Sequence, residues 1–284
     1  MKLLLLLLVA SSARCSVDES FLNQTTTTPS IDREGRFFGF GGGRREKSAI
    51  IFIHGLGVSL STACKLFFGP AMGLSRSRNY VRCPVAPSHA TTIFPPTFLP
   101  GSRRIFKSWF NFRLMPVMSI YSPVPGEERE HLDSSLKIIE AEIEDLISLG
   151  VPSENIVVSG ASQGGVMTIW TALYTKYKLG GFIPIVTWLP LRKVNDITQI
   201  HPPPVNADTP ILHLNGLLDP IVPLPCGHAT KSEMTKVFSN YELSNRPGTH
   251  ATTMGPQNIP KVIRWLAANT NIQFSRLNLL AKLG

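Results

Sequence analysis

The residues Gly160-Ala161-Ser162-Gln163-Gly164-Gly165 follow the apolar run Asn155-Ile156-Val157-Val158-Ser159 and lead into a helical stretch over residues 166–177. A strand that turns into a helix within a few residues holds the residue between them in strained backbone angles. Glycines two positions to either side let neighbouring chain pass without a Cβ clash. A serine hydroxyl held this way projects above the edge of a sheet, where it can act as a nucleophile. It is a poor one at neutral pH, so the chemistry needs a base to take its proton and an acid to orient that base. Gly-x-Ser-x-Gly is a loose pattern by itself, and its weight comes from the strand before it and the helix after.

Ligands of a doubly wound sheet bind at the carboxyl ends of its strands, which selects among the candidate acids and bases. Asp208 precedes the apolar run 211–215 and so falls at the wrong edge, whereas Asp219 follows that run through the short turn Gly216-Leu217-Leu218. Asp196 has no comparable strand before it. Of the seven histidines, His250 follows a strand expected over 238–243 through a loop with Pro247 and Gly248, and precedes the last helix. His228 falls inside the next helix and His213 within a strand. Ser162, Asp219 and His250 in that order is the chain order of α/β-hydrolases. The oxyanion formed on attack needs waiting backbone N–H groups. One belongs to the residue after the nucleophile, Gln163, and the other to an early strand-to-helix loop, where His54-Gly55-Leu56-Gly57 offers Leu56 as donor. His54 itself is expected to be a structural loop residue.

The elements that must position these groups alternate between strand and helix. Residues 49–53 form an isoleucine-rich run suited to a strand buried on both faces. A short strand follows at 80–82, and residues 84–123 are Pro-rich loop with aromatics that need packing. Residues 127–149 show the helical spacing Leu132, Leu136, Ile139, Ile143, Leu146, ended by Gly150 and Pro152. Strands at 155–159, 182–186, 211–215 and 238–243 and a helix over 258–268 complete the pattern. The fold class is therefore α/β, a mostly parallel central sheet with helices on both faces. It occupies a single domain over residues 35–284.

A chain of 284 residues with 43% hydrophobic and 17% charged residues supports a sizeable core and excludes general disorder. The formal net charge of +9 suggests attraction to an anionic membrane surface. The basic residues are scattered and no nucleic-acid module accompanies them, so nucleic acid is not an expected partner. Residues 1–15 have the charged start, apolar core and small-residue end of a secretory signal, too short to span a bilayer. Residues 16–34 read as a disordered leader carrying the glycosylation acceptor Asn23-Gln24-Thr25. The expected location is the secretory pathway or outside the cell, with the cytoplasm as the alternative. Removal of the signal leaves Cys64, Cys83 and Cys226, without metal-ligand spacing, each read as a small buried hydrophobe and allowing at most one disulfide.

His54-Gly55-Leu56-Gly57, Cys83-Pro84 with Ala86-Pro87, Ser108-Trp109-Phe110, Gly160 to Gly165, Trp188-Leu189-Pro190-Leu191, Asp219-Pro220-Ile221-Val222-Pro223 and Gly248-Thr249-His250 occur in this order. Together they resemble the acyl-protein thioesterase and lysophospholipase family of small carboxylesterases, over about residues 48–268. The resemblance implies cofactor-free hydrolysis, by Ser162, Asp219 and His250, of S-palmitoyl thioesters on proteins, of lysophospholipids or of small esters. Trp109, Phe110, Trp188 and Leu189 are expected to line the acyl site, since a long chain needs apolar surface that excludes water. Val58, Phe106-Lys107 and Asn111 depart from the family pattern at the rim of the site, as does the leader. Two other readings stay open: a broad carboxylesterase or lipase, and a secreted lipid-binding protein without turnover.

Overall fold

The computed structural model describes residues 46–57, 72–75, 77–90, 105–111, 116–117, 119–120, 129–191 and 196–274. The signal-like start, the leader, Val58, Cys64 and the aromatics Phe94, Phe98 and Phe112 lie outside them. The strands are β1 (Ser48–Ile53), β2 (Asn79–Arg82), β3 (Ser88–Ala90), β4 (Ile105–Lys107), β5 (Ile156–Ala161), β6 (Gly181–Ile185), β7 (Ile211–Gly216) and β8 (Tyr241–Arg246). Six of them form one sheet in the order β2-β1-β5-β6-β7-β8, every neighbouring pair parallel. β3 and β4 pair antiparallel in a separate ribbon. All six carboxyl ends of the main sheet therefore emerge at one edge.

Every residue of β1, β5, β6 and β7 is buried, which is why their sequences read as near-continuous apolar runs rather than alternating ones. Their side chains divide between two cores. Ala49, Ile51, Ile53, Ile156, Val158 and Ile211 face one side, and Ile50, Phe52, Val157, Leu212 and Leu214 the other. Helices α1 (Arg129–Ser148), α2 (Gln163–Tyr174) and α3 (Leu224–Met234) cover the first core, and α4 (Ile259–Asn269) covers the second through Val262, Ile263, Trp265 and Leu266. In α1 the buried apolar residues are Leu132, Leu136, Ile139, Ile143 and Leu146, the spacing read from the sequence.

The strand expected over 238–243 and the helix expected over 166–177 have other bounds in the structure. The run 238–243 begins its strand only at Tyr241, because the Phe238 N–H is bonded to Met234 O (2.8 Å) in the turn that ends α3. The strand then continues to Arg246 through mostly polar, half-exposed or exposed residues, as an edge strand can. α2 starts at Gln163 and ends at Tyr174, because the Ser162 carbonyl already accepts the Val166 N–H (3.0 Å) and Thr175 turns extended. β6 carries Pro184 in the sheet interior. The N–H groups of Phe182 and Val186 bond to Pro210 O and Leu214 O, so the intervening donor toward β7 would be residue 184, and proline has none.

Cys226 is free and buried, as expected of a small hydrophobe, and Cys83 takes up the one disulfide that the three cysteines allow in place of the buried-hydrophobe reading. Cys83 is half-buried just after the edge strand β2 and is disulfide-bonded, its partner lying outside the described residues.

β7 also buries His213 completely, its Nδ1 2.8 Å from the Tyr241 hydroxyl. Burial, with a smaller contribution from nearby His228, pushes its pKa down to about 3. In the unfolded chain the imidazole returns to about 6.5. The unfolded state therefore binds the extra proton first, and stability is lost as pH falls through 6.5 toward 3. The expected loss at about pH 5 is about 2 kcal/mol. Urea unfolding of the wild type and of His213→Gln at about pH 7.5 and about pH 5 checks this, since the stability gap between the two proteins should narrow by that amount. A gap that does not change with pH would refute it.

Candidate active site

The chain leaves β5 at Ala161 and enters α2 at Gln163, with Ser162 between them at φ 55° and ψ −120°. Few non-glycine residues take a positive φ, and this one is held by three bonds to its backbone. The Ser162 N–H donates to Ile185 O (2.9 Å), and its carbonyl accepts from Val166 N (3.0 Å) and Thr187 Oγ1 (2.9 Å). The flanking glycines are there for space. A Cβ on Gly164 would lie 2.0 Å from Ile53 O, and one on Gly160 would lie 2.3 Å from Gly164 O. The spacing glycine-x-serine-x-glycine is thus fixed by how closely β1, β5 and the head of α2 cross.

Asp219 follows β7 and His250 follows β8, at the same sheet edge as Ser162. The structure joins the two directly, His250 Nδ1 lying 2.8 Å from Asp219 Oδ2. Asp219 Oδ1 accepts the N–H groups of Ile221 (2.8 Å) and Val222 (2.9 Å), so both carboxylate oxygens are occupied. The Asp219 side chain is fully buried, while His250 keeps 19% of its side chain exposed. An acceptor at Nδ1 puts the ring proton there and leaves Nε2 free to take a proton from outside. The rejected acids stand elsewhere. Asp208 is exposed and paired with Lys178, and Asp196 caps the turn at Thr198.

The loop after β1 brings Leu56 and Gly57 to the same edge. Gly57 takes φ 66° and gives its N–H to Lys107 O (3.0 Å), so that donor is already bound, and Leu56 stands just before it in the loop. Gln163 is the first residue of α2, a position whose N–H has no partner within its own helix. His54 is a structural residue, as expected. It is buried, its Nδ1 donates to Gly55 O (2.7 Å) and its Nε2 accepts from Ala86 N (3.1 Å). Burial holds its pKa below the ordinary histidine range, in keeping with a neutral ring that donates on one side and accepts on the other.

The profile of the phospholipase/carboxylesterase family matches residues 41–267. The chain belongs to this family. It is 31% identical to acyl-protein thioesterase 1 of Kluyveromyces lactis over 217 residues, which cover 73% of this chain and 86% of that protein. It is 26% identical to acyl-protein thioesterase 1 of Saccharomyces cerevisiae, covering 72% of this chain and 86% of that one. Among solved structures, Arabidopsis thaliana SOBER1 superposes with a TM-score of 0.65 at 25% identity, covering 78% of this chain and 99% of that chain.

In this member of the phospholipase/carboxylesterase family the four expected acyl-site residues are core. Trp109 and Phe110 are 0% exposed, and Trp188 and Leu189 1%. Phe110 and Trp188 meet edge-on at 6.5 Å between ring centroids. Trp109 donates Nε1–H to His54 O (2.8 Å), which ties it to the Leu56 loop. The Gln163 side chain does a job the sequence did not suggest. Its Oε1 accepts Trp109 N–H (2.9 Å), and its Nε2 donates to Ser108 Oγ (2.9 Å) and Phe110 O (2.6 Å). The carboxamide thus pins the Ser108-Trp109-Phe110 segment against the start of α2. Thr187 is a second unforeseen residue, bonding the Ser162 carbonyl and packing against Gly165, where a Cβ would lie 2.6 Å from its own. The only signal for it was a hydroxyl just beyond the apolar run of β6.

Proposed function

We propose that this chain is a serine hydrolase of acyl thioesters and oxygen esters, with S-acylated proteins as the favoured substrates and lysophospholipids or small esters as further ones. The observation that carries the reading is the Asp219–His250 hydrogen bond of 2.8 Å at the sheet edge where Ser162 stands in its strained turn. The acyl-protein thioesterase relatives support the thioester preference.

In this reading Ser162 Oγ attacks the acyl carbonyl while His250 Nε2 takes its proton, and Asp219 holds the imidazolium that forms. Negative charge develops on the carbonyl oxygen, where the N–H groups of Leu56 and Gln163 receive it, each worth about 3 kcal/mol in the transition state. Collapse breaks the carbon–sulfur or carbon–oxygen bond, and His250 returns the proton to the departing thiol or alcohol. Water then repeats the sequence on the acyl-enzyme and releases the carboxylic acid. The residues present complete both half-reactions without a cofactor.

In this proposal Trp109, Phe110, Trp188 and Leu189 support the acyl site from beneath as packed core rather than touching the chain. Their complete burial favours a second reading, a carboxylesterase of short oxygen esters, because these four side chains themselves offer a long chain no surface. One comparison separates the two. With a matched long-chain thioester and oxygen ester, thioester turnover well above ester turnover is the expected result. Preference for short oxygen esters would replace it with the second reading.

Residues 1–15 and the disulfide at Cys83 support entry into the secretory pathway, where disulfides persist. The +9 charge supports attraction to anionic membranes, to be weakened by added salt. Among the described residues no helix is long and apolar enough to cross a membrane.

A further inference from the structure

Leu217 and Leu218 occupy the turn between β7 and Asp219, and they are 47% and 73% exposed. Such side chains are ordinarily buried, and these two are not on a loose loop. The Leu217 N–H donates to Arg246 O (2.9 Å) and the Leu218 N–H to Gly248 O (3.0 Å), so the turn is tied to the end of β8 and to the loop that carries His250. Gly216 just before them allows no side chain, since a Cβ would lie 2.6 Å from Thr253 Oγ1 and 3.0 Å from Gly248 O. Two large apolar groups are thus held in water beside the catalytic pair by a rigid backbone.

We infer that Leu217 and Leu218 form the leaving-group side of the substrate site, selecting thiols and alcohols with apolar surroundings. The inference rests on the serine-hydrolase reading and follows from where protons must go. The leaving sulfur or oxygen is the atom His250 Nε2 must reach, while the carbonyl oxygen points toward the N–H groups of Leu56 and Gln163. Leu56 follows β1 and Gln163 adjoins Ser162 at the end of β5, whereas Asp219 and His250 follow β7 and β8, so in the sheet order the proton carrier lies on the flank of Ser162 away from Leu56. The departing group therefore passes over the flank that carries the two leucines. A cysteine thiol set between apolar residues of an acylated peptide buries surface against them. A glycerophosphate, strongly hydrated, gains nothing there and is disfavoured.

The test uses two octanoyl peptides of one acyl group and one leaving atom, a cysteine flanked by leucines and a cysteine flanked by serines. The wild type should hydrolyse the leucine-flanked peptide with a kcat/KM about tenfold higher, the effect of burying one leucine-sized contact. In Leu218→Ser, and in Leu217→Ser/Leu218→Ser if one leucine compensates, the ratio should fall to near one. Both leucines are exposed and their turn is held by backbone bonds, so unfolding temperatures should match the wild type. A wild-type ratio near one, or a ratio that survives in the double variant, would overturn the inference. So would a double variant whose leaving-group ratio holds while its preference for acyl-chain length changes, or one that only loses self-association. Hydrolysis of p-nitrophenyl butyrate that Ser162→Ala abolishes keeps the two levels apart. With that activity present, a failed ratio removes the leaving-group site alone, and with it absent the serine-hydrolase reading falls and takes the site with it.

Discussion

Ser162→Ala is expected to lower kcat on any thioester or ester on the order of 100,000-fold or more, and to abolish labelling by a fluorophosphonate probe, while the protein stays folded. The fold should survive because all the bonds that fix this turn belong to the Ser162 backbone: N–H to Ile185, carbonyl to Val166 and to Thr187. The hydroxyl caps no helix N–H, and alanine has the same Cβ at the same positive φ. What is lost is the atom that attacks. An unchanged unfolding temperature with turnover gone supports Ser162 as the nucleophile, and residual turnover within tenfold of the wild type would remove it from that role.

The second large effect is at Asp219. Asp219→Asn should reduce kcat about 10,000-fold with little change in folding, because the substitution reverses a proton rather than a shape. One carboxylate oxygen accepts two backbone N–H groups, from Ile221 and Val222, and only a carbonyl can stay there. The new NH2 must then face His250 Nδ1, where the present carboxylate oxygen accepts at 2.8 Å. A donor at that place forces the imidazole to carry its proton on Nε2, which can no longer accept one from Ser162. Steady-state rates beside the nitrogen chemical shifts of the His250 ring, which report its tautomer, would test this. A variant that keeps most of its kcat would show that Asp219 does not set the tautomer.

The local pattern made much of this site legible. Glycines at 160 and 164 announce a close crossing, and the structure finds backbone oxygens of Gly164 and Ile53 where Cβ atoms would go. The five apolar positions of α1 were readable because one face of a helix repeats with its own period. The choice of Asp219 over Asp208 needed only the rule that one sheet edge carries the chemistry, and Asp208 indeed lies exposed beside Lys178. The polar strand β8 was harder to bound. Its edge position releases it from the apolar pattern that marks β1, β5 and β7, and Phe238 belongs to the end of α3.

The roles of the aromatics were not legible, because a tryptophan near a site reads the same whether it touches a substrate or fills a core. Burial of Trp109 and its bond to His54 O depend on three segments far apart in the chain. The same holds for the Gln163 side chain, for Thr187 under Ser162, and for the bond between Asp219 and His250. The sequence by itself determined which residue types could react and on which kind of element each would stand, since spacing and local backbone geometry are encoded within a few residues. Only the tertiary structure decided which of them meet, which donors are already bound and which apolar groups are left in water, because those outcomes depend on packing between strands that the chain order separates.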